Sequence, residues 1–224
     1  DKAVVVDAKG QKHNVECLLG ANEIYDIAKF QVDGKTISGS LSATVSAPET
    51  VWIAVAPKSG SAVKAEVSSV EKFMDKYNYA ILKSAATEKM NGAPVVNERG
   101  QIIGIFNAGG TSQSATDANY AKDFVVKGLS QNDVALRQSN IRVGLPNSLE
   151  ESVVALMLSS EKPVGTHEAL INDFIVKFPQ ANEGYYAKAN LFVAQNDLVN
   201  ADKVLQEEVN KATSKDEAHY NYAR

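Results

Sequence analysis

The stretch "EKMNGAPVVNERGQIIGIFNAGG", residues 88–110, decides how the first half of this chain folds. Pro94-Val95-Val96 is a short apolar run entered from Asn91-Gly92 and left through the polar turn Asn97-Glu98-Arg99-Gly100. A second apolar run, residues 101–106, follows at once. Two apolar runs on either side of a polar turn that ends in Gly predict a β-hairpin.

Working outward, the same pattern repeats on the N-terminal side. "AVVVDAKGQKHNVECLL" predicts two strands around a turn at Asp7-Ala8-Lys9-Gly10, and "DIAKFQVDGK" a third that closes on Asp33-Gly34. "TVWIAVAP", "AVKAEVSSVEKF" and "NYAILKSA" continue the series. Short strands at regular spacing with turn residues between them imply a barrel or sandwich.

On the C-terminal side the period changes from two to about 3.6 residues. "SLEESVVALMLSS" sets Leu149, Val153, Leu156 and Met157 on one helical face, with Ser148 as N-cap and Glu151 completing a capping box. "THEALINDFIVKFP" predicts a helix capped by Thr166 and stopped before Pro179. "NEGYYAKANLFVAQN" and "LVNADKVLQEEVNKA" form a helix pair turned at Asn196-Asp197, and a last helix begins at Asp216. The division expected is a β domain over 1–130, a polar linker over 131–147, and helical repeats over 148–224.

Bulk properties narrow the function. The formal charge is −4 without clustered Lys or Arg, which argues against a nucleic-acid partner. Hydrophobic residues make up 44% of 224, enough for a core, and no apolar run approaches the roughly 18 residues that span a bilayer. Cys17 is the single cysteine, so no internal disulfide forms, and its apolar setting reads as a buried small hydrophobe. His13, four residues away on the same strand face, would lie about 13 Å from it, too far for a proton relay. The three histidines are scattered and give no metal-ligand spacing, and no Gly-rich phosphate loop precedes a helix, so no metal or cofactor is expected.

The residues of the β half resemble trypsin-like serine proteases of the bacterial HtrA/Deg kind. "VVVDAKGQKHNVECLLGANEIYDIAKFQVDG" is similar to that family's hairpin leading to the triad aspartate, where Asp26 stands. "MNGAPVVNERGQIIGIF" is similar to its serine loop and following hairpin, and "NYAKDFVVKGL" resembles its closing strand and last helical turn. The resemblance implies two six-stranded barrels and a Ser-His-Asp site. The departures imply something else. The nucleophile position holds Asn91, whose amide has no proton a base could remove to make a nucleophile. Lys89 and Ala93 replace two loop glycines. The family's histidine strand would lie upstream of Asp1, and His13 is on the wrong side of the first hairpin to replace it. A shortened first barrel would leave unpaired strand edges, which need cover from another element or from a second copy of the chain.

"ANEGYYAKANLFVAQNDLVNADKVLQEEVNKA" resembles a tetratricopeptide repeat. Ala189 and Ala201 stand at its small positions, Tyr185, Phe192 and Leu205 at its large ones, and Thr213 replaces its closing Pro. By the same resemblance "THEALINDFIVKFPQ" is a second helix, with Ala169 at the small position. "DEAHYNYAR" is a first helix, with His219 as a packing residue. Stacked pairs form a concave surface that takes extended peptides. Tyr186, Asn190 and Val193 are the candidate binding stripe, and Tyr185, Ala189 and Phe192 the competing core stripe.

The expected whole is a multi-domain α and β protein: an antiparallel trypsin-like barrel followed by helical hairpins. The expected function is a non-catalytic scaffold that binds a protein or peptide through the repeats. Alternatives are a serine endopeptidase with its histidine upstream, or a structural envelope component. The family resemblance also implies the periplasm or cell surface.

Overall fold

A computed structural model describes residues 3–7, 9–55 and 60–224. The chain divides into two compact units, Asp1–Phe124 and Val125–Arg224.

Within the first unit the predicted hairpin forms, with β7 at Pro94–Val96 and β8 at Ile102–Asn107. Its turn is built by one side chain. The Asn97 Oδ1 accepts the N–H groups of Arg99 and Gln101, both at 3.0 Å, and Gly100 takes φ +71°. Around the hairpin lie β4 (Glu49–Ile53), β5 (Val63–Phe73), β6 (Tyr77–Ser84) and β9 (Gln113–Asp117). These six strands close in the order β4-β5-β6-β9-β8-β7, every pairing antiparallel. Closure leaves this sheet without an edge. Alternate residues point inward, so Val51, Ile53, Val67, Leu82, Val95 and Phe106 fill the interior, and a register shift between β7 and β8 adds Ile103. Each such side chain contributes about 1.5–3 kcal/mol by leaving water. Gly104 lets β9 approach: a Cβ there would meet the Thr116 carbonyl oxygen at 2.6 Å.

The residues "NYAKDFVVKGL" do not supply the closing strand. That strand is β9, and Ala118–Asp123 is a helix, α1. Asp117 makes the switch, because its carboxylate accepts from Asn119 N–H at 2.8 Å and caps α1. The sequence Gln-Ser-Ala-Thr-Asp lacks large apolar residues, so its strand character comes from pairing with β6 and β8.

The other three strands, β1 (Val4–Val6), β2 (Lys12–Asn22) and β3 (Ile27–Val32), form a separate sheet in the order β1-β2-β3. The β1–β2 turn rests on Asp7, whose Oδ1 accepts from Lys9 and Gln11 N–H. Cys17 is buried on β2. Tyr25, Phe73, Tyr77, Tyr120 and Phe124 stack as one aromatic cluster in this unit, with Tyr120 centred 4.6–5.7 Å from the other four rings.

The second unit is helical: α2 (Val134–Arg137), α3 (Leu149–Ser159), α4 (Val164–Lys177), α5 (Asn182–Ala194), α6 (Leu198–Lys211) and α7 (Lys215–Ala223). From α3 onward each helix packs on the next, and α5 also meets α7. Segment 131–147, expected as a linker, is part of this unit, with Leu136, Val143 and Leu145 buried. Ser148 caps α3 as predicted, accepting from Glu151 N–H at 3.3 Å. The reciprocal half of the box is replaced: the Glu151 carboxylate takes Gly128 N–H at 2.5 Å. Thr166 is not a cap. Helix α4 begins two residues earlier, with the Pro163 carbonyl accepting the N–H of Thr166 and of His167. The fixed φ of proline seeds that turn ahead of the threonine. The α5–α6 turn matches expectation: Asn196 takes φ +60° and Asp197 caps α6 through Asn200 N–H. His219, expected to pack, is exposed.

Candidate functional site

The two residues singled out in the β half, Asp26 and Asn91, are drawn to one short segment at the end of β8. Asn91 follows a 3-10 turn at Glu88–Met90, and its N–H donates to the Glu88 carbonyl at 3.0 Å. Met90 N–H donates to Thr87 in the same turn. The Asn91 Oδ1 accepts the N–H of Ala108 at 2.8 Å. Gly92, at φ +85°, donates its N–H to Phe106. Asp26 sits in the β2–β3 turn at φ +47°, and its Oδ2 accepts from Asn107 Nδ2 at 2.7 Å. It is therefore a tertiary contact across 81 positions, not a local turn cap. Asn107 is a residue that sequence reasoning missed. Its Oδ1 also accepts Gly109 N–H at 2.6 Å, so Asn107-Ala108 bridges Asp26 to Asn91.

Chemically this cluster holds one carboxylate and two amides. The backbone N–H of Asn91, which an oxyanion site at this position would need free, is engaged in the turn. His13 is not near. It lies at the other end of β2, nine residues or roughly 30 Å of strand from Asn22. There its Nε2 is 3.6 Å from Asp7 and its Nδ1 3.1 Å from the Asp33 carbonyl oxygen. Ser84, close in sequence, donates to Gln113 Oε1 at 2.6 Å.

The helical unit carries a second candidate, a groove of about 760 Å³ lined chiefly from α3, α5 and α7. Val153, Leu156, Met157, Ala187 and Leu191 form its apolar wall. Tyr186 and Asn190 line it; Val193 does not and is 52% exposed. The reason is rotation. At 100° per residue, positions 183, 186, 187, 190 and 194 share one face, and 193 falls about 75° from its midline, beyond Tyr186 at the edge. The competing stripe is core: Tyr185 is 0% and Ala189 3% exposed, and Phe192 packs against them.

The groove also collects His167, Glu183, Glu217 and Arg224, none of which was marked as a site residue from sequence. Glu183 was within reach of sequence reasoning, because it continues the Tyr186–Asn190 face by three residues. The others depend on α4 and α7 packing beside α5. Burial pushes the His167 imidazole below its usual range, so it is neutral at pH 7. Its Nδ1 lies 2.7 Å from Ser159 Oγ, which itself donates to the Leu156 carbonyl. Behind the groove Glu208 is fully buried, and its Oε1 accepts from Asn182 and Asn221, both at 2.8 Å. Among the described residues its Oε2 has no partner. Burial raises the Glu208 carboxyl above the usual range, and Glu217 and Glu183 raise it further.

Among the described residues no set of His, Cys, Asp and Glu side chains is arranged to hold a metal, and no helix is long and apolar enough to cross a membrane.

No family model and no curated protein matches this chain. Among solved structures, part of the chain is similar to the crystal structure of Rv3671c protease in its inactive form. That match has 12% identity and a TM-score of 0.40, and covers 51% of this chain and 66% of the other. A mutant of Rv3671c from M. tuberculosis H37Rv, also in an inactive form, matches at 13% identity and a TM-score of 0.39, over 50% and 62%. The match spans less than two thirds of the length of each.

Proposed function

We propose that this chain is a non-catalytic relative of the trypsin-like serine proteases whose helical unit, read as tetratricopeptide-like repeats, binds an extended protein segment. The observation that carries the first part is Asn91. It stands where the resembled family has its nucleophile, its side chain is bonded to Ala108, and its N–H closes a 3-10 turn. A peptidase needs an ionisable nucleophile with a base in hydrogen-bond reach. Asn91 cannot ionise, and His13 is held by Asp7 and Asp33 far along β2. The second part is supported by a groove lined from alternate helices, with an aromatic ring and an amide on one wall. By the same family resemblance we place the protein in the periplasm or at the cell surface.

The test uses casein and a fluorophosphonate probe. The chain should neither cleave casein nor take up label, and Asn91→Ser should stay silent in both assays, because the turn and the missing base are unchanged. Casein turnover that Asn91→Ala abolishes would overturn the reading in favour of an endopeptidase.

A further inference from the structure

The groove contains a cation already, and where it rests indicates what the groove takes. The Arg224 guanidinium lies 5.3 Å from the Tyr186 ring centroid and 5.9 Å from that of Tyr220. Both distances fall within the range in which the negative face of an aromatic ring attracts a cation. The Tyr220 contact is local, four residues along α7. The Tyr186 contact is tertiary, made across to α5.

The rest of the lining has the complementary charge. Glu183 and Glu217 line the same groove, and among the described residues neither has an ion pair or a side-chain hydrogen bond. Their joint field reaches the buried Glu208, whose carboxyl they both push toward its protonated form. His167 adds no positive charge, because burial keeps it neutral. Setting Arg224 aside, the ionised lining is two carboxylates beside two phenol rings and an apolar wall.

We propose that the Tyr186–Tyr220 pair, flanked by Glu183 and Glu217, is a subsite for an arginine or lysine side chain of an extended partner segment, whose apolar neighbours lie on Val153, Leu156 and Leu191. Arg224 occupies this subsite from within the chain and competes with the partner. The inference rests on the reading of the groove as a peptide site and adds the chemistry of its ligand. An anionic segment is disfavoured by the two carboxylates, and a purely apolar one leaves the two rings and both carboxylates unused.

The probe is a seven-residue acetylated and amidated peptide of alternating leucine and alanine with arginine at its centre. Matched peptides carry citrulline or glutamate there. Each is titrated into the isotope-labelled full chain, following the backbone amide signals of Tyr186, Glu217 and Tyr220. The arginine peptide should bind about tenfold more tightly than the citrulline peptide, which is about 1.4 kcal/mol. Glu183→Gln with Glu217→Gln should remove most of that preference, and Arg224→Ala should strengthen binding several-fold. Added salt should weaken only the arginine peptide. Equal binding of the arginine and citrulline peptides at these signals would overturn the subsite and leave the groove reading standing. Tightest binding by the glutamate peptide would overturn it as well. No shift at these signals with any of the three would overturn both.

Discussion

The loop after the 3-10 turn in the barrel and the groove in the helical unit differ in where their polar groups go. In the loop every polar group of interest is turned back on the chain: Asn91 to Ala108 and Glu88, Asp26 to Asn107, Asn107 to Gly109. In the groove Asn190 is exposed, and Glu183 and Glu217 lack ion pairs among the described residues. A group that already has its hydrogen bonds gains little by exchanging them for those of a ligand. A carboxylate at the rim of an apolar groove gains when a cation arrives and displaces water from both. On the proposed reading, the barrel supplies a scaffold and the groove supplies the recognition.

The sharpest way to break this contrast is to damage each core separately. Phe106 is 1% exposed inside the barrel and Phe174 0% inside the helical unit. Either one changed to Ala should cost about 3–5 kcal/mol in its own unit, read by urea unfolding with a probe in each. Phe174→Ala should abolish peptide shifts in the groove, whereas Phe106→Ala should leave them. Loss of groove binding in Phe106→Ala would show that recognition depends on the barrel.

A second contrast is in the response to pH. In the helical unit the folded Glu208 carboxyl is raised, mainly by burial. A raised carboxyl contributes stability that is present below the unfolded value of about 4.3 and lost as pH rises through the folded value. In the barrel unit Asp123 is lowered, chiefly by hydrogen bonds from Lys76 and Tyr77. Its contribution has the opposite sign, present above the unfolded value and lost as pH falls through the folded one. Melting curves with unit-specific probes should show the helical unit weakening as pH rises above about 4.3 and the barrel weakening as pH falls below about 3.9. Glu208→Gln, which cannot ionise, should flatten the helical profile alone. A wild-type helical profile as flat as that of Glu208→Gln would remove the contrast.

The smallest expected effect is at the bridge. Asn107→Ala removes the contact to the exposed Asp26 and should cost about 0.5–1 kcal/mol of barrel stability by urea midpoint. A loss above about 3 kcal/mol would mean that this one bond organises the loop.

Much of this architecture could be read along the chain. The hairpin of β7 and β8, the Asn97 turn, the Ser148 cap and the α5–α6 turn all follow from residues within four positions of one another, where dihedral preference and short-range hydrogen bonding decide the outcome. That Asn91 cannot act as a nucleophile is likewise a property of its own side chain. The closing strand was not readable, because Gln-Ser-Ala-Thr-Asp becomes a strand only between two partners. Thr166 looked like a cap because propensity ranks it so, and Pro163 overrode it. Spacing alone puts Val193 on the binding stripe, whereas only the packing of α5 shows which part of its surface stays open.

What the fold alone decided joins residues far apart in sequence. Asp26 meets Asn107 because the first sheet delivers its turn to the end of β8. Asn91 meets Ala108 because β7 and β8 pair and bring their ends together. Tyr186 and Arg224 share a groove because α5 and α7 both face it, and Glu208 is enclosed by Asn182 from one helix and Asn221 from another. Local preference acts over a turn or two of chain. Charge, burial and recognition depend on which distant side chains the closed core forces together, and that is set by the packing of the whole unit.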